Sequence, residues 1–386
     1  MTEKLYNLDS HLFTFEAVVT DCREEKDGWV VELDRTAFFP EGGGQGADTG
    51  TLGPARVRDV QERDEHLLHY TDRPLTVGEC YSGRLDAEQR HRRMQNHSGE
   101  HIVSGLIHGL YGYENVGFHI GEACMSMDYS GELSPEQLEK VERLANEAVR
   151  ANLPVRAWFP EDGELEQLSY RSKKELSGAV RLVSIPGIDL CACCAPHVSF
   201  TGEIGVIKIL NAERHRGGMR LSVLCGMDAL EDYRTRQESV AEISALLSAK
   251  RGEVSGAVER LLAERDGLKE RVAELSLRLV ESLAAGLPET EGNLCIFNPG
   301  LDEIGARELC NRLMERCGGI AAVFTGSDET GWRYILGSRR VDLRANARTI
   351  NAGIQGRGGG RPEMIQGQAT ASEAAIRAWL EETRLP

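Results

Sequence analysis

Two pairs of side chains that bind soft metals lie far apart in this chain, and a fold that uses both must bring them to one point. The first pair is His97 and His101 in "NHSGEH". Four residues apart on a segment with helical spacing, they fall on one face, one turn apart. The second lies in "CACCAPHV", where Cys193 and His197 repeat the four-residue interval. Together the pairs have the form of a four-ligand site assembled by folding, and mixed imidazole and thiolate donors suit zinc. Spacing alone does not choose among Cys191, Cys193 and Cys194. On an extended strand Cys191 and Cys193 point one way and Cys194 the other, so at most two can face an ion.

The remaining cysteines fit a reducing compartment. Ten occur in 386 residues, and where disulfides are not maintained, clustered thiols bind metal or do chemistry while scattered ones pack as small apolar groups. No apolar run approaches the roughly 18 residues of a membrane span. The start, "MTEKLYNLDSHLF", lacks the basic and apolar regions of a secretory signal. A cytoplasmic protein with no membrane contact is expected. The net charge of −16 argues against indiscriminate nucleic-acid binding, which works by phosphate neutralisation. From Arg333 onward the balance reverses, with nine arginines, Arg384 the last, against five acids. Arg214, Arg216 and Arg220 form a second basic stretch.

Periodicity divides the chain into four parts. Residues 1–90 read as short strands broken by Gly, Asp and Pro, the pattern of a small β-barrel, and contain the glycine loop "FFPEGGGQGADTG". Residues 91–226 mix helix and strand, an α+β domain. Residues 227–286 are helical and charged, with Val240, Leu247, Val254, Leu261, Leu268 and Leu275 at intervals of seven. Lys250 and Glu264 occupy the companion seam, and Gly252 and Gly256 interrupt it, so a helical hairpin turning near "KRGEVSG" is predicted rather than one long helix. Residues 287–386 form a last α/β domain with a second glycine loop, "GIQGRGGGRPEMIQGQ". Neither loop is a P-loop, and the first lacks the helix that a dinucleotide fingerprint requires. Bare backbone there suits a close approach to a ligand or a wall, and in the second loop Arg357 and Arg361 add charge suited to phosphate.

"FFPEGGGQGADTG", "NHSGEH", "CCAPHV" and "GRGGGRPEMIQG" occur in the order found in the editing and C-terminal regions of alanyl-tRNA synthetase. The chain resembles the freestanding alanyl-tRNA editing proteins, in the long form with the C-terminal domain. The resemblance implies an α+β editing domain, a C-terminal nucleic-acid-binding domain, and hydrolysis of alanine tRNA mischarged with serine or glycine. It implies zinc on His97, His101, Cys193 and His197, and tRNA as partner. It also implies a contact to the serine hydroxyl from Thr36, and orientation of water or ribose by Gln45. Arg357, Arg361, Arg216 and Arg220 are the expected tRNA contacts, and a homodimer through the C-terminal region is consistent with the family. The family usually has Cys-Gly-Gly-Thr-His where this chain has Cys-Cys-Ala-Pro-His.

Two other readings compete. "HSGEH" is also an H-x-x-E-H sequence, the inverted zinc-peptidase pattern with Glu100 as general base. That pattern takes a downstream carboxylate rather than a Cys/His pair, and Glu100 reads better as a helix-surface acid beside a ligand. The third reading is a zinc-stabilised RNA-binding module without catalysis.

Overall fold

Alternating inward apolar residues close the N-terminal strands on themselves. In the computed structural model, which describes residues 2–121, 123–161, 163–172 and 179–383, the first strands are β1 (Glu3–Lys4), β2 (Thr14–Glu25), β3 (Gly28–Leu33) and β4 (Arg35–Thr36). β5 (Gly50–Leu52), β6 (Ala55–Arg63), β7 (His66–Thr71) and β8 (Cys80–Leu85) follow. The order β2-β3-β7-β6-β5-β8 forms a closed barrel, with β1 paired to β4 beside it. Phe15, Ala17 and Val19 point inward along β2. Along β6, Val57 and Val60 both stay inward because a bulge between Val57 and Asp59 shifts the phase.

The barrel leads into helix α1 (Ala87–Tyr111), capped by the Asp86 side chain, which accepts from the Gln89 N–H at 3.1 Å. Its inner face is unusually polar: Arg90, Gln95, Asn96, His97, Ser98, Glu100, His101 and Ser104 are all buried. Buried polar groups need partners, and Arg90 finds several. It donates to the Asp48 carboxylate, to Ala37 O at 2.6 Å and to Ser10 O at 2.9 Å. Around α1 lie β9 (Asn115–Ile120), β10 (Met125–Tyr129), helix α2 (Pro135–Ala151), β11 (Arg156–Trp158), β12 (Leu182–Ile185), β13 (Asp189–Ala192), β14 (Ile207–His215) and β15 (Gly218–Cys225). They form one sheet of order β14-β15-β10-β9 and another of order β11-β12-β13. A capping box of Ser134 and Gln137, with Pro135 following, starts α2.

The chain divides into two compact units, Met1–Ala241 and Glu242–Pro386. Helix α3 (Gly226–Leu246) crosses that boundary, and helix α4 (Val254–Ala285) follows a break that includes a 3-10 turn at Arg251–Glu253. The second unit holds β16 (Leu294–Phe297), α5 (Glu303–Leu313), β17 (Ala321–Ser327), β18 (Gly331–Gly337), α6 (Leu343–Gly353), β19 (Gly356–Arg361), β20 (Met364–Ala369) and α7 (Glu373–Glu382). Its sheet runs β16-β17-β18-β20-β19. Successive residues of β17 serve opposite faces. Ala321 and Val323 pack with Leu309 of α5 and Val280 of α4, while Ala322 and Phe324 pack with Ile350 of α6 and Leu380 of α7.

One expectation is corrected here. The second glycine run is an antiparallel hairpin, β19 against β20, not a loop. A Cβ on Gly358 would lie 2.2 Å from Gln366 O, and one on Gly360 2.4 Å from Met364 O, so the glycines permit close strand packing. The heptad residues Leu261 (51% exposed), Leu268 (59%) and Leu275 (50%) alternate with Val258 (37%), Val272 (58%) and Leu279 (36%) on the helix surface. Arg384 lies outside the described residues, and among those described no helix is long and apolar enough to cross a membrane.

Asp48→Ala leaves the Arg90 charge buried without its partner and is expected to destabilise the first unit by about 3–5 kcal/mol. Replacing both residues by apolar ones of similar volume should cost much less, measured by urea unfolding of the single and double variants.

Candidate metal centre

Helix α1 and the segment after β13 meet where the two pairs of ligand-type residues converge. His97, His101, Cys193 and His197 place their ligand atoms within 4.8 Å of one another. The Cys193 Sγ lies 3.5 Å from His97 Nε2 and 3.4 Å from His197 Nε2. A tetrahedral ion with ordinary Zn–S and Zn–N distances would set that edge at about 3.6 Å.

Each imidazole has its other nitrogen engaged, which orients the ring as metal sites require. His97 Nδ1 meets Gln45 Oε1 at 3.1 Å, His101 Nδ1 donates to Asp189 Oδ2 at 2.8 Å, and His197 Nδ1 meets Ser98 Oγ at 3.0 Å. Arg171 grips Asp189 with two bonds, Nε to Oδ1 at 2.7 Å and Nη2 to Oδ2 at 2.9 Å. The Arg181 guanidinium donates to the Cys193 and Ala195 carbonyls at 3.1 and 2.9 Å and so shapes the ligand loop.

The electrostatics match a thiolate centre. Burial alone would raise the Cys193 thiol, but His97 and His197 beside it hold it well below its ordinary value. Burial pushes His197 down to about 3, which leaves a neutral lone pair. Burial opposes charge on His101 as well, yet Asp189 and the Cys193 thiolate hold it well above its ordinary value. His101 Nε2 is buried with no hydrogen-bond partner among the described residues. A cation bound there would meet the same demand for positive charge.

The ligands open onto a cavity of about 620 Å³ whose walls include Tyr6, Phe39, Phe118, Phe159, Arg181 and Cys194, within the usual range for a small-molecule pocket. The first glycine run forms its rim. Gly42 and Gln45 exchange two backbone hydrogen bonds of 3.0 Å, with Gly43 at φ 60° and Gly44 at φ 82°, a tight turn that favours glycine. A Cβ on Gly44 would strike Phe118 at 2.5 Å, and one on Gly43 would sit 3.8 Å from both His97 and Cys194.

Other expected residues lie elsewhere. Cys191 is buried beside His101 and Asp189, and Cys194 faces the cavity. Gln45 is buried with its Nε2 unpaired among the described residues. Thr36 is not brought to the cluster: its hydroxyl is buried in the barrel, 2.9 Å from His69 Nε2, and accepts from the Phe38 N–H at 3.1 Å. Glu100 is not a surface acid as expected. It is fully buried and accepts from Ser104 Oγ at 2.6 Å and Asn115 Nδ2 at 2.8 Å. Arg216 is exposed on the turn between β14 and β15, whereas Arg220 is paired to Asp128 by bonds of 2.6 and 2.8 Å. Sequence reasoning missed Asp189, Arg171 and Ser98. For Asp189 the available signal was a lone acid in the apolar run "SIPGIDLCAC".

The threonyl and alanyl tRNA synthetase second additional domain matches residues 180–221, which include Cys193 and His197. The alanyl-tRNA editing protein Aarsd1 of Rattus norvegicus is 26% identical, over 97% of this chain and 96% of that protein. The alanine–tRNA ligase of Natronomonas pharaonis is 33% identical over 90% of this chain. The chain is homologous to the alanyl-tRNA editing proteins. It spans 39% of the length of the Natronomonas ligase, to which it is also homologous. The solved C-Ala domain of Aquifex aeolicus alanyl-tRNA synthetase aligns with 23% of this chain at 18% identity and a TM-score of 0.20, too slight a likeness to bear on the fold.

Asp189→Asn removes the negative charge that holds the His101 ring and leaves one neutral oxygen for His101 and Arg171 to share. Metal affinity is expected to fall about 10–100-fold, read by competition with a chelator of known affinity.

Proposed function

We propose that this chain is a trans-editing hydrolase that deacylates alanine tRNA mischarged with serine or glycine, at a zinc ion held by His97, His101, Cys193 and His197. The observation that carries the reading is the convergence of these four ligands, each imidazole oriented by a second partner, beside a bare glycine turn. Homology along nearly the full length of an editing protein supports the substrate class. A pocket built for alanine cannot exclude glycine by size and rejects an added hydroxyl by only about a hundredfold, so a second, hydrolytic site has a physical purpose.

Zinc bound here would polarise the ester carbonyl or lower the pKa of the attacking water. The residues of the chain do the positioning. Gly43 leaves room for the aminoacylated terminus, Gly44 lets the turn pack against Phe118, and Gln45 holds the His97 ring. Thr36 acts from inside the barrel, through the Phe38 N–H that begins the segment leading to the glycine turn. The donor set argues against the peptidase reading: a Cys/His pair stands where that pattern needs a carboxylate, and Ser104 and Asn115 both hold Oε1 of Glu100.

The second unit supplies a surface for the tRNA body. Arg357 and Arg361 share one face of the edge strand β19, and Arg333 lies in register with Arg357 across Gln368. Arg307 reaches the same face through Gln366. Among the described residues none of the four arginines forms an ion pair. The exposed seam of α4 suits a parallel homodimer. Val258, Arg265, Val272 and Leu279 take a positions and Leu261, Leu268 and Leu275 take d positions, with β-branched valine at two of the four a positions and leucine at every d as two-stranded coils prefer. Glu264 at g would then face Lys269 at e of the second copy.

The deciding assay follows serine-charged and alanine-charged tRNA with the purified full chain. Rapid loss of serine only, abolished by chelation and by Cys193→Ala in a protein that stays folded, is expected. No loss from folded, zinc-loaded protein would overturn the reading, and unfolding of Cys193→Ala would favour the structural module. Arg357→Ala and Arg361→Ala should each weaken tRNA binding and lower the salt slope by about 1. Leu268→Glu with Leu275→Glu should weaken self-association at least about a hundredfold, measured by sedimentation equilibrium.

A further inference from the structure

A second group of metal-type ligands lies apart from the first. His11, in the segment entering β2, His91, near the start of α1, and Glu203, on the 3-10 turn Thr201–Ile204, bring their ligand atoms within 4.8 Å of one another, each half-buried. The first-site chemistry uses none of them. His11 Nε2 and Glu203 Oε2 are 2.8 Å apart, and the His11 and His91 ring centres are 6.4 Å apart.

The surroundings aim these atoms at one another. Glu203 Oε1 accepts from the Ser199 and Phe200 N–H groups at 3.0 and 2.9 Å, which leaves Oε2 turned to His11. Ser10 Oγ lies 3.4 Å from His11 Nδ1 and donates its own proton to His197 O at 2.7 Å. Ser199 Oγ lies 3.5 Å from the same nitrogen, so both hydroxyls sit at Nδ1 and Nε2 is the ring atom that faces the Glu203 carboxylate. At that separation either a proton, as in an ordinary hydrogen bond, or a metal ion joins the two atoms. Beside them stands His91, with no hydrogen bond or ion pair among the described residues.

We propose that His11, His91 and Glu203 form a second divalent transition-metal site, of the two-histidine, one-carboxylate type, with water completing the shell. Zinc is the expected ion, since three protein ligands of this kind and one open position are an ordinary zinc arrangement. A 2.8 Å separation between two ligand atoms subtends close to a right angle at ligand distances of about 2.0–2.1 Å, which leaves room for solvent on the exposed side. The ion would join three segments that are distant in sequence. One of them carries Ser10, whose side chain holds the His197 carbonyl and whose own carbonyl accepts from Arg90 Nη1 at 2.9 Å. The second ion would thus brace the segment behind a ligand of the first. The inference does not depend on the editing reaction.

The test is metal stoichiometry on the full chain, by equilibrium dialysis against excess zinc and elemental analysis. Two zinc ions per wild-type chain are expected, and one each in His91→Ala and His11→Gln. Cobalt in those variants should retain the thiolate charge-transfer band of the first site. Cys193→Ala should still load the second site, without that band. The His91 side chain makes no hydrogen bond or ion pair among the described residues, so its removal tests the site should His11→Gln be unstable. One zinc per wild-type chain, or two in His91→Ala, would overturn the proposal.

Discussion

A buried ion pair between Arg90 and Asp48 sets the geometry on which the metal centre depends. Asp48 closes the segment that holds the glycine turn: its Oδ2 accepts from the Phe39 N–H at 2.7 Å, and its own N–H donates to Phe39 O at 2.9 Å. Arg90 grips Asp48 from α1 and bonds the Ala37 and Ser10 carbonyls as well. One guanidinium thus joins the N-terminal segment, the exit from the barrel and the ligand helix. His97 and His101 lie seven and eleven residues further along the same stripe of α1, so a helix fixed at Arg90 presents both imidazoles to the glycine turn. Burying a charge pair is seldom worth its desolvation. What it supplies here is a fixed position for a helix whose inner face is polar.

From that anchor the site is built outward in layers. Arg171 holds Asp189, Asp189 holds His101, and Ser98 holds His197. Arg181 holds the loop of Cys193 by its carbonyls. The two units divide the chemistry between them. The first carries the ligands and the cavity. The second, in a chain of net charge −16, gathers on one sheet face arginines that form no ion pair among the described residues.

Much of the candidate centre was legible because its signals are local. A four-residue interval on a helix states that two imidazoles share a face, and the same interval in "CCAPH" offers a thiolate and a third imidazole. The layer behind the ligands was not legible, because Asp189 and Ser98 acquire their roles only when distant segments meet. Glu100 was expected on the helix surface, but its acceptance from Asn115, outside the helix, draws it inside. Thr36 sits beside the glycine turn in sequence, yet β4 turns its hydroxyl to His69 within the barrel. The run "GRGGGR" suggested a loop since glycine usually marks one. Here it marks a strand pressed too closely on its neighbour for side chains. The heptad leucines were visible in the sequence, and the structure leaves them exposed on α4 together with Val258, Val272 and Leu279.

The central claim is that one ion sits among three imidazoles and one thiolate. X-ray absorption at the zinc edge tests it most directly, on the full chain carrying one equivalent of zinc. The structure predicts a shell of one sulfur at about 2.3 Å and nitrogen ligands at about 2.0–2.1 Å. A shell without sulfur, or with two or more sulfurs, would contradict it.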